Sequence, residues 1–333
     1  MRAAIYIVTA IAAVMGAGCS GKGDDDRGGR ASDIPPIAGE DESCNPAAPK
    51  VCRGDDVIEC TSDGHLGRRL RACHDGCRDG RCELTCADDG VKLIYLVDED
   101  GDFLSFDPRV LGHGDPFHVI GKLDCGRAGT PFSMSVDRHG IAWVLYSGGR
   151  VFRVSIDDAK CTSTGYRPLS TGTETFGMGF ATDAAGAKTE KLYVASNDVD
   201  SQLFAIDTAG NLAPVRKGVL TATAGESPEL TGTSDARLYG FYPDVTGSPF
   251  VQEIDRLTGA PLGPRWPVAG EALDISAYAF AQWGGTFYVF ATVDGNSTVR
   301  TVDKTGHYKA ILQNLPYKIT GAGVSTCAPE RDQ

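Results

Sequence analysis

One short pattern recurs five times along this chain: an apolar stretch that ends in aspartate. The copies end at Asp107, Asp157, Asp207, Asp255 and Asp303, so successive copies are 50, 50, 48 and 48 residues apart. Short apolar segments bounded by turn residues are typical of β-strands. A period of about 40–50 residues built from short strands indicates a repeat architecture in which each copy is one small sheet.

Two further strand-like segments accompany each copy. One carries a central aromatic residue, and these aromatics are predicted to form the packing layer between sheets: Tyr95, Trp143, Tyr193, Tyr239 and Tyr288. The other is rich in Gly, Ala, Ser and Thr, which suits strands that converge on a narrow axis. The sequence therefore predicts an all-β fold, a five-bladed β-propeller over residues 90–328 with a short tail at 329–333.

The two ends of the repeat region complement each other. The last small-residue segment, 319–326, has no sheet of its own, whereas the first repeat lacks such a strand. We therefore expect the C-terminal strand to complete the N-terminal blade and close the ring, which removes exposed edges. A disulfide between Cys86 and Cys327 is predicted to lock this closure, and Cys125 is predicted to pair with Cys161.

Six more cysteines are concentrated before the repeats, in a region predicted to be a disulfide-rich module over residues 40–88. They are Cys44, Cys52, Cys60, Cys73, Cys77 and Cys82. None of them forms the Cys-x2-Cys knuckle common in structural zinc sites. Three disulfides are therefore expected, as in proteins of oxidising compartments. Their connectivity does not follow from the spacing.

The N-terminus has the features of an export signal. The apolar run at 3–15 is shorter than the ~20 residues that span a bilayer. Small residues lead to Cys19, and the segment resembles the lipobox of bacterial lipoproteins, although Gly16 stands where leucine is usual. Residues 1–18 are therefore predicted to be cleaved and Cys19 lipidated, with ordinary cleavage to a soluble periplasmic or secreted protein as the alternative. Residues 19–39 are predicted to form a flexible acidic tether.

The charge balance and the motif content limit the classes of function that the chain can have. The chain has 44 acidic and 32 basic residues, which argues against a nucleic-acid-binding surface. It contains no GxSxG, HExxH or P-loop motif. The favoured function is therefore a non-catalytic scaffold that binds a protein or glycan partner. We expect it to need no cofactor. We expect it to contact the membrane only through the lipid anchor.

Candidate site residues lie where the predicted innermost strands begin, at the mouth of the channel. Glu174, Glu229 and Asp274 precede three successive inner strands and are the candidate catalytic groups of a glycosidase- or lactonase-like hydrolase, the alternative function. In that alternative they would bind Ca2+ or another divalent cation. The candidate ligand-binding groups at the same mouth are Thr130, Ser276 and Lys318.

The chain resembles exported lipoproteins of myxobacterial type, which combine a lipobox-like signal, an acidic tether, a cysteine-rich module and a propeller. The stretches that carry the resemblance are PFSMSVDRHGIAWVLYSGG, FGMGFATD, ELTGTSDARLYGFYP and GAGVSTCAP. The resemblance implies this fold and a lipid-anchored location at the bacterial cell envelope, with the outer membrane expected. It implies no catalytic residues.

Overall fold

A computed structural model describes residues 43–73, 76–126, 128–168, 173–197, 201–220, 227–243 and 247–331. The predicted signal peptide, Cys19 and the tether lie outside these residues. Within them the predicted all-β class is confirmed, and the strands are accompanied by short 3-10 turns at Gly90–Lys92 and Pro108–Val110. The described residues contain no helix whose length and hydrophobicity would let it span a bilayer.

The cysteine-rich region forms a three-stranded and a two-stranded antiparallel sheet. Its strands are β1 (Lys50–Arg53), β2 (Asp56–Cys60), β3 (Leu66–Ala72), β4 (Cys77–Arg78) and β5 (Arg81–Cys82). The disulfides join Cys44 to Cys60, Cys52 to Cys77 and Cys73 to Cys82. Few side chains are buried here, Val57 and Ile58 among them. The crosslinks, at ~2–4 kcal/mol each, therefore compensate for a small core.

The repeat region forms five four-stranded antiparallel sheets within the described residues. The N-terminal sheet contains β6 (Ile94–Asp98), β7 (Asp102–Phe106) and β8 (Phe117–Lys122). Three sheets follow: β9 (Pro131–Val136), β10 (Ile141–Tyr146), β11 (Arg150–Ser155), β12 (Cys161–Ser163); β13 (Phe176–Thr182), β14 (Glu190–Ser196), β15 (Gln202–Ile206), β16 (Val215–Val219); β17 (Glu229–Gly232), β18 (Leu238–Tyr242), β19 (Phe250–Ile254), β20 (Pro261–Pro267). The last sheet contains β21 (Ile275–Trp283), β22 (Thr286–Val293), β23 (Asn296–Asp303) and β24 (Tyr308–Leu312).

A C-terminal strand, β25 (Ile319–Gly323), is the fourth strand of the N-terminal sheet. It pairs with β6, so that Ala322 lies opposite Leu96. The first strands of the sheets contact one another in a cycle from β9 through β13, β17, β21 and β25 back to β9. This arrangement is propeller-like. Disulfides join Cys86 to Cys327 across the closing sheet and Cys125 to Cys161.

Small residues allow the first strands to approach closely. A Cβ atom on Gly177 in β13 would lie 2.1 Å from the carbonyl oxygen of Pro228, just before β17. A Cβ on Gly323 in β25 would lie 2.6 Å from the Cα of Ser135 in β9. The backbones themselves occupy this space, so glycine is required where neighbouring first strands meet.

The repeated aspartates and aromatics have structural roles. Asp207 Oδ1 accepts the backbone N–H of Ala209, and Asp255 Oδ1 accepts that of Leu257. Four of the five repeated aspartates, all except Asp157, cap the turn after the third strand in this way, as Asp does in Asx turns. The aromatic residues of the second strands are buried, from 0% exposed for Tyr239 to 7% for Tyr288.

Candidate functional site

The three predicted ligand-binding residues lie where first strands begin. Thr130 precedes β9 and is exposed, and its backbone N–H donates to Ser147 Oγ over 3.1 Å. Ser276, the second residue of β21, is also exposed. Lys318 precedes β25, and its Nζ lies 2.9 Å from Glu99 Oε2. These side chains keep hydrogen-bonding capacity toward solvent at one end of the sheets.

The three predicted carboxylates lie in different environments. Glu174 and Asp274 are exposed, whereas Glu229 is 3% exposed. Glu229 Oε2 accepts a hydrogen bond from Ser133 Oγ over 2.9 Å, and the backbone N–H of Met178 also donates to this carboxyl. Burial raises the pKa of Glu229 well above its usual value. Glu229 thus links β9, β13 and β17 in the interior.

A metal centre at these carboxylates receives no support from the geometry. The part of the chain that the structure describes contains no group of three or more His, Cys, Asp or Glu side chains arranged to hold a metal ion. The acidic 98–102 segment is a hairpin turn between β6 and β7, where Asp98 Oδ1 accepts the backbone N–H groups of Asp100 and Asp102. That carboxylate oxygen is therefore used in shaping the turn.

A second set of carboxylates lies at the opposite ends of β9 and β13, where the sequence predicted no site. Asp137 directly follows β9, and its Oδ1 accepts the backbone N–H groups of His139 and Ile141. Its Oδ2 accepts the indole N–H of Trp143 over 3.0 Å. Burial raises the pKa of Asp137, and these hydrogen bonds oppose the rise.

Glu190, the first residue of β14, joins this region to the end of the closing strand. Its Oε1 accepts the backbone N–H of Arg138 over 2.8 Å, and its Oε2 accepts the hydroxyl of Thr326 over 2.6 Å. Thr326 is adjacent to Cys327 and therefore to the ring-closing disulfide. Burial raises the pKa of Glu190 to about 7.

We expect Glu190→Gln to remove part of a pH-dependent loss of stability. A glutamate whose pKa rises from 4.5 to about 7 on folding contributes stability that is complete below pH ~4.5 and is lost as the pH rises through ~7. Glutamine offers an acceptor to Arg138 and a donor to Thr326 without this loss. At pH ~8 the variant should therefore be more stable than the unaltered protein by about 3 kcal/mol.

Urea unfolding between pH ~4.5 and ~8 measures this difference. Glu271→Gln, which changes an exposed glutamate, is the matched control and should leave the pH profile unchanged. A Glu190→Gln profile that follows the unaltered protein throughout this range would show that Glu190 is not protonated in the fold.

A cleft of about 890 Å³ opens beside the Asp137–Glu190 region. The cysteine-rich module contributes residues 78–79 and 81–84 to its wall, and the other walls come from the β9–β12 and β13–β16 sheets. Basic, acidic and hydroxyl side chains line most of it. A cleft of this size can hold a small polar ligand, since ligand pockets typically measure ~300–1,000 Å³.

Sequence reasoning missed this cleft for a physical reason. The segment 137–140 is an ordinary turn sequence, and Arg153 lies in one of five similar apolar repeats. The cleft exists only because the module packs near the ends of two sheets, and local spacing does not encode that packing. The one local signal is a basic residue at position 153 inside a buried strand.

Comparisons with known proteins give structural likenesses only. No family model matches the chain, and no curated protein matches it. A solved nidogen/laminin complex is similar over 69% of this chain and 97% of its own, with 12% identity and a TM-score of 0.44. A protein assigned as TolB from Agrobacterium tumefaciens is similar over 78% and 89%, with 11% identity and a TM-score of 0.43. A catalytically inactive virginiamycin B lyase from Staphylococcus aureus, solved with quinupristin, is similar over 77% and 76%, with 13% identity and a TM-score of 0.37.

Proposed function

We propose that this protein is a non-catalytic binding scaffold, lipid-anchored at the bacterial cell envelope, whose five-bladed β-propeller offers its channel mouth to a protein or glycan partner. The closed cycle of five first strands, tied at its seam by the Cys86–Cys327 disulfide, is the observation that carries the proposal. Such a frame holds surface groups in place before binding. Pre-organised groups lose less conformational entropy when a partner docks.

The proposed location rests on cysteine usage. Ten of the eleven cysteines form five disulfides in the described part of the chain. Such bonds persist in oxidising compartments and are rare in the cytosol. The eleventh, Cys19, is the proposed lipid site behind the export signal at 1–18, as the resemblance to myxobacterial-type lipoproteins implies. The outer membrane is the proposed membrane, and a soluble periplasmic or secreted form is the alternative.

The proposed binding face is the end of the sheets where the first strands begin. The side chains there carry both charges and hydroxyl groups and come from several sheets; Lys318 is partly buried, and the others are exposed, namely Thr130, Glu174, Asp274 and Ser276. A partner that contacts them would span neighbouring blades. Polar groups of both signs suit hydrogen bonding to a glycan or to a polar protein surface.

A hydrolase is the second candidate, and one observation favours it. The raised pKa of Glu229 would suit a general acid. This carboxyl is buried, however, and is already bonded to Ser133 and to the backbone of Met178. The other two candidates, Glu174 and Asp274, are exposed. The binding scaffold is therefore the function that these environments support better.

The role of the channel mouth as the binding face is tested with the double variant Ser276→Ala, Lys318→Ala of the full-length protein. The affinity for a partner isolated from envelope extracts should fall at least tenfold, because two donors at the mouth are lost. The Lys318–Glu99 ion pair is partly exposed, so its loss should cost less than ~1 kcal/mol of stability. Lys309→Ala, on the exposed outer strand β24, is the control and should bind normally.

Activity assays with panels of glycoside and lactone substrates distinguish the binding scaffold from the hydrolase. The scaffold proposal predicts no turnover by the purified protein. Turnover that Glu229→Gln abolishes would overturn it in favour of the hydrolase. An affinity unaffected by the double variant would place the binding face elsewhere.

A further inference from the structure

Arg153 reaches the cleft without a partner of its own. It lies in β11, is partly buried and lines the cleft. Within the described residues its guanidinium has no hydrogen-bond acceptor and no ion pair, and its Nε is buried. An N–H that is withdrawn from water without an acceptor costs free energy. The guanidinium is therefore a donor group for which the described part of the protein supplies no acceptor.

The other arginines of the cleft differ from Arg153 in this respect. The other three arginines in its wall have protein partners, namely Glu83 for Arg78, Asp158 for Arg81 and the carbonyl oxygen of Ala187 for Arg138. Their charge and hydrogen-bonding capacity are at least partly used. Arg153 is consequently the arginine of the cleft that is available to an added anion.

Arg153 lies beside one aromatic ring. Its Cζ lies 6.0 Å from the centre of the Trp143 ring, at the outer limit of a cation–π contact. The Trp143 indole is itself fixed by its hydrogen bond to Asp137. A guanidinium beside this fixed ring has the planar, forked geometry that recognises a carboxylate through two hydrogen bonds.

The remaining lining indicates the kind of molecule that carries this carboxylate. Hydroxyl and carboxylate side chains line the same cleft as Arg153: Ser155, Asp157, Thr162, Thr189, Asp207 and Thr208. Such groups exchange hydrogen bonds readily with sugar hydroxyls. Apolar side chains, which would anchor a peptide, are few in this lining, Leu84 and Ile141 among them. An acidic sugar fits this chemistry better than an acidic peptide does.

We propose that this cleft binds an acidic oligosaccharide, with a sugar carboxylate on the Arg153 guanidinium and sugar hydroxyls on the surrounding side chains. The site lies at the far ends of β9 and β13 from the proposed mouth. It goes beyond the proposed function, and its test is independent of partner binding at the mouth.

The test is a calorimetric titration of the full-length protein with trigalacturonate. We expect binding, and at least tenfold weaker binding of the fully methyl-esterified trigalacturonate, which has the same rings without the charge. Arg153→Gln should weaken trigalacturonate binding at least tenfold. Arg153→Lys, which keeps the charge without the planar fork, should lie between the two.

Arg300→Gln is the matched control. Arg300 also lies in the third strand of a sheet, and its Nε is also buried without an acceptor, but it does not line the cleft. This variant and the Ser276, Lys318 double variant should bind trigalacturonate normally. No binding of trigalacturonate, equal binding of its ester, or unchanged binding by Arg153→Gln would each overturn the proposal. Tighter binding of a triaspartate peptide would overturn the assignment to sugars. If Arg153→Gln fails to fold, Arg153→Lys and the ester comparison decide the matter.

Discussion

Replacing both Cys86 and Cys327 by serine should lower the free energy of unfolding by about 5 kcal/mol. The two residues are 241 positions apart, and their disulfide encloses almost the whole repeat region. A crosslink over such a loop restricts the unfolded chain far more than the folded one. Its loss also frees the chain end next to Thr326, which holds Glu190. Urea unfolding under non-reducing conditions measures the change.

The matched control replaces Cys125 and Cys161, which are only 36 positions apart. On the same entropic reasoning this pair contributes about 4 kcal/mol, less than the ring-closing pair. If the variant without Cys86 and Cys327 is as stable as the unaltered protein, or more stable than this control, the disulfide has no role in closing the ring.

Gly177→Ala should destabilise the protein by about 3 kcal/mol or more. The added Cβ would lie 2.1 Å from the carbonyl oxygen of Pro228, a backbone atom that cannot rotate away. Relief requires β13 and β17 to separate, and the neighbouring first strands would have to follow. Thermal or urea unfolding of the purified variant gives the magnitude.

Gly114→Ala is the control for this substitution. A Cβ at Gly114 would have no atom within 4 Å, and its backbone does not have a positive φ. The control should change stability by less than about 0.5 kcal/mol. Equal effects of the two substitutions would mean that the first strands do not approach as closely as described.

Much of the fold follows from the repeat pattern. The period locates the strands, and the count of small-residue segments places the last one, 319–326, in the N-terminal sheet, where β25 pairs with β6. In four of the five repeats the aspartate marks the end of the third strand because its carboxylate caps the next turn, as Asp207 does. The period and the turn residues are local features, and the place of the closing strand follows from the count of segments, so these parts of the fold could be predicted from the sequence.

The cysteine connectivity could not be predicted because it depends on tertiary packing. Cys77 and Cys82 lie opposite each other across β4 and β5, yet each bonds a cysteine elsewhere, Cys52 and Cys73 respectively. Nearness in sequence or in a hairpin therefore does not identify the partner.

The candidate carboxylates show a similar limit. Glu174 and Asp274 precede their strands and are exposed, whereas Glu229 is the first residue of β17 and is buried. All residues from 227 to 233 are buried, on both faces of β17, so the burial of Glu229 comes from the packing of neighbouring sheets. Local spacing in the sequence does not encode that packing.

The closed ring is the feature on which the scaffold proposal depends, and peptide mass mapping without reduction tests it most directly. Digestion of the protein purified from its envelope should yield a peptide pair joined through Cys86 and Cys327, with Cys125 joined to Cys161. Cys86 linked to a cysteine of the 40–88 module, or found as a free thiol, would contradict a ring closed at this seam.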